Sequence, residues 1–290
     1  MSSVIQPVTV ARRPRNYHRL AVKIGLGVAV GVILLWVLLP LYYLFVTSLS
    51  PNSEPVLGWS LPRQLTLENY RSIILGGPGQ PVIWGFMLTS IIVAGGAMLL
   101  SFVVAFPAAY GLSRLTPSKG ANRAYVSFLG LQALPTIALV AAFYMLYSKL
   151  GLLNTKPGLL CALLTIGVPL EVWVLKAFCD AIPREVEEAA TLDGAGTLKR
   201  MVRIIIPFMG DGIASTAALT FLQLYVDYLF AVTLTDSSSS TVPVYVTGFQ
   251  NELSVNVGAT CAAAVISMIP MLAVFGVAQR YSKGMALMGA

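Results

Sequence analysis

Six long apolar runs, separated by polar and turn-rich breaks, set the outline of the chain. They cover residues 24–46, 82–113, 124–148, 157–182, 204–235 and 253–279. The first, second and sixth carry no charge at all. The fourth is interrupted by Glu171 and Lys176, and the fifth by Asp211 and Asp227. A run of about 20 residues at about 1.5 Å each crosses a hydrocarbon core of about 30 Å. Each run is therefore predicted to be a transmembrane helix, because lipid leaves no free backbone group satisfied outside a helix or a closed barrel. The second run is over-long and is expected to tilt or to project past the headgroups. Pro107, Pro169 and Pro270 fall inside runs two, four and six, where proline kinks are routine or serve as flex points.

Composition agrees with this pattern. The chain has 290 residues, of which 57% are hydrophobic and 11% charged, and its mean hydropathy is +0.78. Soluble domains carry about 25% charged residues, so the fold class is all-α integral membrane. The net charge of +7 reads as a topological bias and not as a nucleic-acid surface. With the N-terminus inside, 15 of the 19 Lys and Arg fall on the inner side and 4 on the outer. That asymmetry predicts six spans with both termini cytoplasmic. The expected organisation is a basic arm over 1–23, a six-span body over 24–283 and a short tail over 284–290. The first run is too long for a signal peptide and lacks a small-residue cleavage site, so it reads as a retained span. One histidine, three scattered cysteines and no paired catalytic set leave no support for a metal site or for catalysis by this chain. No nucleotide-binding glycine pattern occurs, so whatever drives this protein comes from elsewhere, or it runs on a gradient.

The break between runs four and five, residues 183–203, differs from the others. It reads "AIPREVEEAATLDGAG" at its start. Pro183 suits a helix start, and Glu185, Glu187 and Glu188 suit the positive end of a helix dipole. Val186, Ala189, Ala190 and Asp193 recur at helical spacing and share one side. Gly194 suits the left-handed conformation that stops a helix. The prediction is a short cytoplasmic helix of about ten residues and about 15 Å, with a small apolar middle that suits a protein partner. An ordinary solvated connection is the competing reading.

Glu188-Ala189-Ala190, Gly194, Ile204 and Ile206-Pro207, at their spacing, resemble the "EAA" loop of permease subunits of binding-protein-dependent ABC transporters. Ile206 stands where the family pattern has leucine, and Met201 where many members have an aromatic. The resemblance extends along the chain through "VTSLSPNSE", "LTLENYRSII", "AAYGLSR", "KLGLLNTKPGL", "YVDYLFAV", "TVPVYVTGF" and "IPMLAVFGVAQRYSKGM", which look like landmarks of the six-span, maltose-type, carbohydrate-uptake branch. Val226 replaces the asparagine usual before Asp227, and the tail lacks the usual final lysine. The resemblance implies a bacterial or archaeal cytoplasmic-membrane subunit that forms half of a solute pathway with a sister permease. It implies two ATP-binding cassette subunits beneath, carrying the ATP and Mg, and an extracytoplasmic solute-binding protein above. The short helix would then be a coupling helix, and Glu185, Glu188, Ala189, Ala190, Asp193, Gly194, Ala195, Ile204 and Pro207 the ATPase-coupling residues.

Two further carboxylates interrupt the apolar runs. Asp227 and Glu171 should face the bundle interior or a wet cavity, since exposing them to lipid costs at least a few kcal/mol. Either could line the pathway and bond solute hydroxyls, or clamp helices together, with Lys176 a nearby partner for Glu171. Asp211 reads as an interfacial helix residue. A sugar or sugar-like solute is the leading expectation. An importer of a polyamine, phosphate ester or oxyanion would carry the same loop. A gradient-driven transporter would usually show internal repeats, and no convincing repeat relates the halves.

Overall fold

The computed structural model describes residues 17–51, 64–77, 81–114, 119–236, 239–251 and 254–286. Most of the basic arm, the middle of the 47–81 loop and the end of the tail lie outside the described residues. The first helix, α1 (Tyr17–Ser48), stands at the edge of the bundle and packs mainly against the last long helix. From Val22 to Leu38 its side chains are exposed. An apolar helix without a buried stripe has hydrocarbon as its solvent. Its C-terminal end is held by α2 (Glu68–Leu75). Buried Asn69 donates from Nδ2 to the Ser48 and Ser50 carbonyls at 3.0 and 2.9 Å, and Ser48 Oγ bonds the Tyr70 hydroxyl at 2.7 Å. These bonds satisfy carbonyls that a helix end leaves without intrahelical donors.

The centre is the pair α3 (Ile83–Arg114) and α6 (Lys156–Ala181), packed along their length. Ala94, Ala97, Ala105 and Ala109 on α3 and Ala162 and Gly167 on α6 are buried in this seam. Small residues let helix backbones approach where no hydrophobic effect separates protein from lipid. The start of α6 is tightly built. Thr155 Oγ1 accepts from the Gly158 N–H at 3.1 Å, and a Cβ on Gly158 would lie 2.3 Å from the Leu152 carbonyl oxygen. Only glycine fits there, which explains the "NTKPGL" spelling.

Two of the expected spans are not single helices. The run 124–148 divides into α4 (Lys119–Gln132) and α5 (Thr136–Leu150). The break is at Pro135, which lacks an N–H and disfavours helical conformation in the residue before it. The run 204–235 divides further. After α7 (Arg184–Leu192) come α8 (Thr197–Arg200), a π turn at Met201–Ile205, and α9 (Ile206–Phe208). The chain then bends by 81° into α10 (Gly210–Tyr225). Pro207 and the π turn are the causes, since each removes regular i→i−4 bonding. Phe178 stacks against Gly212, where a Cβ would lie 2.5 Å from its ring. A second break at 226–228 separates α10 from α11 (Leu229–Leu234).

The last span starts later than the apolar run suggests. A short helix α12 (Val242–Thr247) leads to two-residue antiparallel strands, β1 (Gln250–Asn251) and β2 (Ser254–Val255). α13 (Val257–Ala286) follows, its first turn capped by Asn256 Oδ1 accepting from the Ala259 N–H at 2.9 Å. Among the described residues four helices are long and apolar enough to cross a membrane, or five if the bent pair around Met209 counts as one. α5 is a shorter apolar helix.

Asn69→Ala strips two donors from buried carbonyls, a loss of about 1–3 kcal/mol. It is expected to lower the melting temperature of the detergent-purified chain. Asn69→Asp should do the same, because a carboxylate cannot donate. Wild-type melting of both would show that α2 does not hold α1.

Candidate functional site

The end of α3 that carries Tyr110, Ser113 and Arg114 meets the end of α6 and the first turn of α7. Apolar packing brings them together. Ala105, Ala109, Val172, Cys179, Ile205 and Met209 form a buried cluster directly beneath. On this platform sits a chain of charge. Glu187 is 6% exposed. Its Oε2 accepts from the Tyr110 hydroxyl at 2.6 Å and its Oε1 from Arg114 Nε at 2.5 Å. Arg114 Nη2 also donates to the Ile182 carbonyl at 2.9 Å, covering the end of α6. Beside it, Ser113 Oγ donates to Asp180 Oδ1 at 2.6 Å, and Lys176 Nζ bonds Asp180 Oδ2 at 2.6 Å.

The helix α7 starts and stops as its sequence requires. Pro183 is the residue before its first turn, and Glu185 and Glu187 lie in that turn. At the other end Gly194 has φ +75°. The Ala195 N–H bonds the Ala190 carbonyl at 2.9 Å and the Gly194 N–H the Thr191 carbonyl at 3.0 Å. These two bonds make a Schellman stop. Arg200 then donates to Thr191 Oγ1 at 2.7 Å and to Thr197 Oγ1 at 3.2 Å, tying α8 back to α7. A cleft of about 320 Å³ opens beside this knot, lined by Tyr110, Arg114, Arg184, Glu188, Thr197 and Arg200.

The expected coupling residues divide between two faces. Glu185, Glu188, Ala189, Asp193 and Gly194 are exposed, whereas Ala190 and Ala195 are buried. Ile204 is half-buried and Pro207 exposed on the arm that follows. The predicted common face of Val186, Ala189, Ala190 and Asp193 is not the packed one. α7 is turned so that Glu187 and Ala190 point inward, because the carboxylate of Glu187 has donors waiting there. Outward-facing apolar groups are present as well: Leu192 is 90% exposed and Leu198 70%.

The two carboxylates within the bundle lie elsewhere. Glu171 is fully buried in α6, with the hydroxyls of Ser101 on α3 and Thr220 on α10 beside it. Neither of its oxygens makes a hydrogen bond of good geometry among the described residues. The expected pairing with Lys176 does not form, since Lys176 lies five residues on and meets Asp180 at i+4 instead. Asp227 sits at the second break of the fifth run, where Oδ2 accepts from the Phe230 N–H at 3.1 Å and caps α11. Sequence reasoning missed Tyr110, Arg114 and Glu187. Their signal was the i, i+4 spacing of Tyr110 and Arg114 at the polar end of an apolar run, opposite an acidic loop.

Residues 105–286, which contain the whole of this knot, match the family described as binding-protein-dependent transport system inner membrane component. The chain belongs to that family. This permease is 30% identical over 258 residues to the trehalose/maltose transport system permease protein MalG of Thermococcus litoralis, covering 87% of this chain and 91% of that one. It is 28% identical to the diacetylchitobiose uptake system permease protein DasC of Streptomyces coelicolor, covering 88% and 91%. In fold, the permease is similar to a chain of a bacterial ABC transporter involved in the import of alginate. That match has a TM-score of 0.71 at 21% identity and covers 93% of this chain and 99% of the other. It is similar at a TM-score of 0.60 to a chain of the MetNI methionine transporter, over 70% of its own length. The permease is thus a multi-pass transport component and not the catalytic subunit of its system.

Removing one partner of a buried ion pair costs about 3–5 kcal/mol. Glu187→Ala or Arg114→Ala is therefore expected to free α7 and to speed protease cleavage between Ile182 and Thr197 in the purified chain. Tyr110→Phe should have a smaller effect in the same direction. Unchanged cleavage in Glu187→Ala would mean that α7 is held by apolar packing alone.

Proposed function

We propose that this chain is one of two permease subunits of an ATP-driven importer for a sugar or sugar-like solute, with α7 as its coupling helix. The observation that carries the proposal is the two-faced α7. Its inner face is locked to α3 and α6 through Glu187, Tyr110 and Arg114, while its outer face offers Glu188, Ala189, Leu192 and Gly194 uncovered. A helix built in this way passes a push from a docked partner to the spans as a rigid body. Supporting the solute class, the relatives' names refer to trehalose/maltose and diacetylchitobiose.

In this reading the fifth span is the bent α9–α10–α11 assembly and the third is α4 with α5, which brings the number of spans to six. The α7 side is cytoplasmic, as are both termini, in keeping with the Lys and Arg distribution. A sister permease completes the pathway. Two ATP-binding cassette subunits dock on the α7 faces, holding the ATP and Mg, and an extracytoplasmic binding protein delivers the solute to the opposite side. Glu185, Glu188 and Asp193 meet basic or N–H donor groups of the ATPase, and Leu192 and Leu198 fill an apolar recess in it. Asp227 and Glu171 lie within the bundle, where they line or border the pathway.

Two measurements test this. A cysteine at Thr247 should react with an impermeant reagent from outside intact cells, whereas one at Thr197 should not; equal reaction at both would overturn the topology. Gly194→Asp forces a side chain into a left-handed position at about 1–2 kcal/mol and adds bulk where the ATPase approaches. Truncating one side of a buried charged contact costs about 2–5 kcal/mol, so Glu188→Ala should act alongside it. The double variant is expected to insert normally but to lose ATPase in a pull-down and solute uptake in proteoliposomes. Full uptake with tight ATPase association would reduce the loop to a mere connection.

A further inference from the structure

At the end of α3 opposite α7, a small enclosed space of about 10 Å³ lies between Ser90, Tyr225, Asp227 and Thr241, roofed by Leu163 and Leu224. Tyr225 is 3% exposed and Thr241 5%. The hydroxyls of both are buried and have no hydrogen-bond partner among the described residues. Ser90 Oγ accepts from the Val242 N–H at 2.8 Å and has a second lone pair with which to accept again. Asp227 caps α11 through one oxygen. Four oxygen-bearing side chains from four segments thus converge on a space the size of one water molecule. Buried hydroxyls left unpaired cost about 1–3 kcal/mol each, and a polar cavity of about 10–15 Å³ with two to four polar partners is what a buried water requires.

We propose that this space binds a single structural water that joins α3, α10, α11 and the Thr241 turn. The water accepts from the Tyr225 and Thr241 hydroxyls and donates to the Asp227 carboxylate and Ser90 Oγ. Calcium and magnesium demand about six or more oxygen ligands, more than these four residues supply. The Asp227 charge also already faces the first-turn N–H groups of α11, which reduces its need for a cation. The site lies at the second break of the fifth run. There the backbone bonds are long: Val226 N–H to Leu222 O at 3.3 Å and Asp227 N–H to Leu224 O at 3.4 Å. The water therefore holds together a joint that the backbone holds only loosely.

The test is a cycle of variants in the full-length purified chain, with a map of about 2 Å of the same protein. Tyr225→Phe and Thr241→Val should each lower the melting temperature by about 2–4 °C, the shift that corresponds to one lost hydrogen bond in a chain of this size. The double variant should fall no further than the worse single, because either change releases the same water. Thr241→Ser, which keeps the hydroxyl, should melt as wild type. The map should show one peak within hydrogen-bonding distance of Tyr225, Asp227 and Thr241. Additive shifts in the double variant would overturn the proposal, as would a wild-type melt in both singles or a map with no peak. A melting temperature that rises with added sodium in the wild type but not in Asp227→Asn would make the occupant a cation and would overturn it too.

Discussion

The placement of α7 depends on one carboxylate. Glu187 comes out of water at the first turn of a nine-residue helix, and an uncompensated charge in that position would unseat the helix. Arg114 and Tyr110 supply three compensations at once: opposite charge, and a hydrogen bond for each oxygen. The same guanidinium reaches back to the Ile182 carbonyl, so the end of α6 and the start of α7 are held by a single side chain of α3. Asp180, tied to Ser113 and Lys176, fixes α6 to α3 half a turn away. Exposed ion pairs are worth little. This one differs because it is sheltered, hydrogen-bonded through both oxygens and shared among three elements.

From that knot the geometry runs outward along α3. From Arg114, bonded to Glu187, to Ser90, bonded to the Val242 N–H, the helix covers about 36 Å at about 1.5 Å per residue. The alanine seam with α6 makes these two helices one beam. α10 is different. It is set off by an 81° bend before it and by the break at 226–228 after it. α7 is thus bonded to the α3–α6 beam, whereas α10 is joined to it by side-by-side packing and not by continuous helix.

Much of this was legible in the sequence, and the failures have identifiable causes. The helix over 184–192 and its glycine stop were readable because local chemistry alone decides them: acidic residues at the start and a residue with positive φ at the end. The sign of the packed face was not, because alanines at 189 and 190 look equivalent on a helix. Only the position of Arg114, some 73 residues earlier, decides which side turns in. The break at Pro135 could have been read from the proline itself, and hydropathy averaging hid it. The bend at Met209 could not, since an apolar run reads the same whether straight or folded through 81°. Tyr110 and Arg114 stand in a family landmark with no role legible there, and Glu187 reads as a dipole-facing residue like its neighbours. Each makes sense only opposite the other.

The two carboxylates inside the bundle show how differently a membrane protein can place the same group. Asp227 lies where the helix has already come apart, so backbone N–H groups are available to it and its cost is offset locally. Glu171 lies in an intact stretch of α6, where every neighbouring backbone donor is used by the helix. Hydroxyls on two other helices lie beside it, and one of them, Ser101, already donates to the Met98 carbonyl of its own helix at 2.9 Å. Among the described residues the junction of α3, α6 and α10 around Glu171 is thus held mainly by shape, with no hydrogen bond of good geometry to the carboxylate. Gly167 and Ser101 set the closeness of approach there, with a Cβ on the glycine lying 3.0 Å from Ser101 Oγ. At the α7 end the same helices are joined by side-chain bonds as well. The α3–α6 beam therefore changes character along its length, from close packing around Glu171 to packing reinforced by bonds at Asp180 and Glu187, and the boundary between the two falls between Glu171 and Asp180 on a single helix.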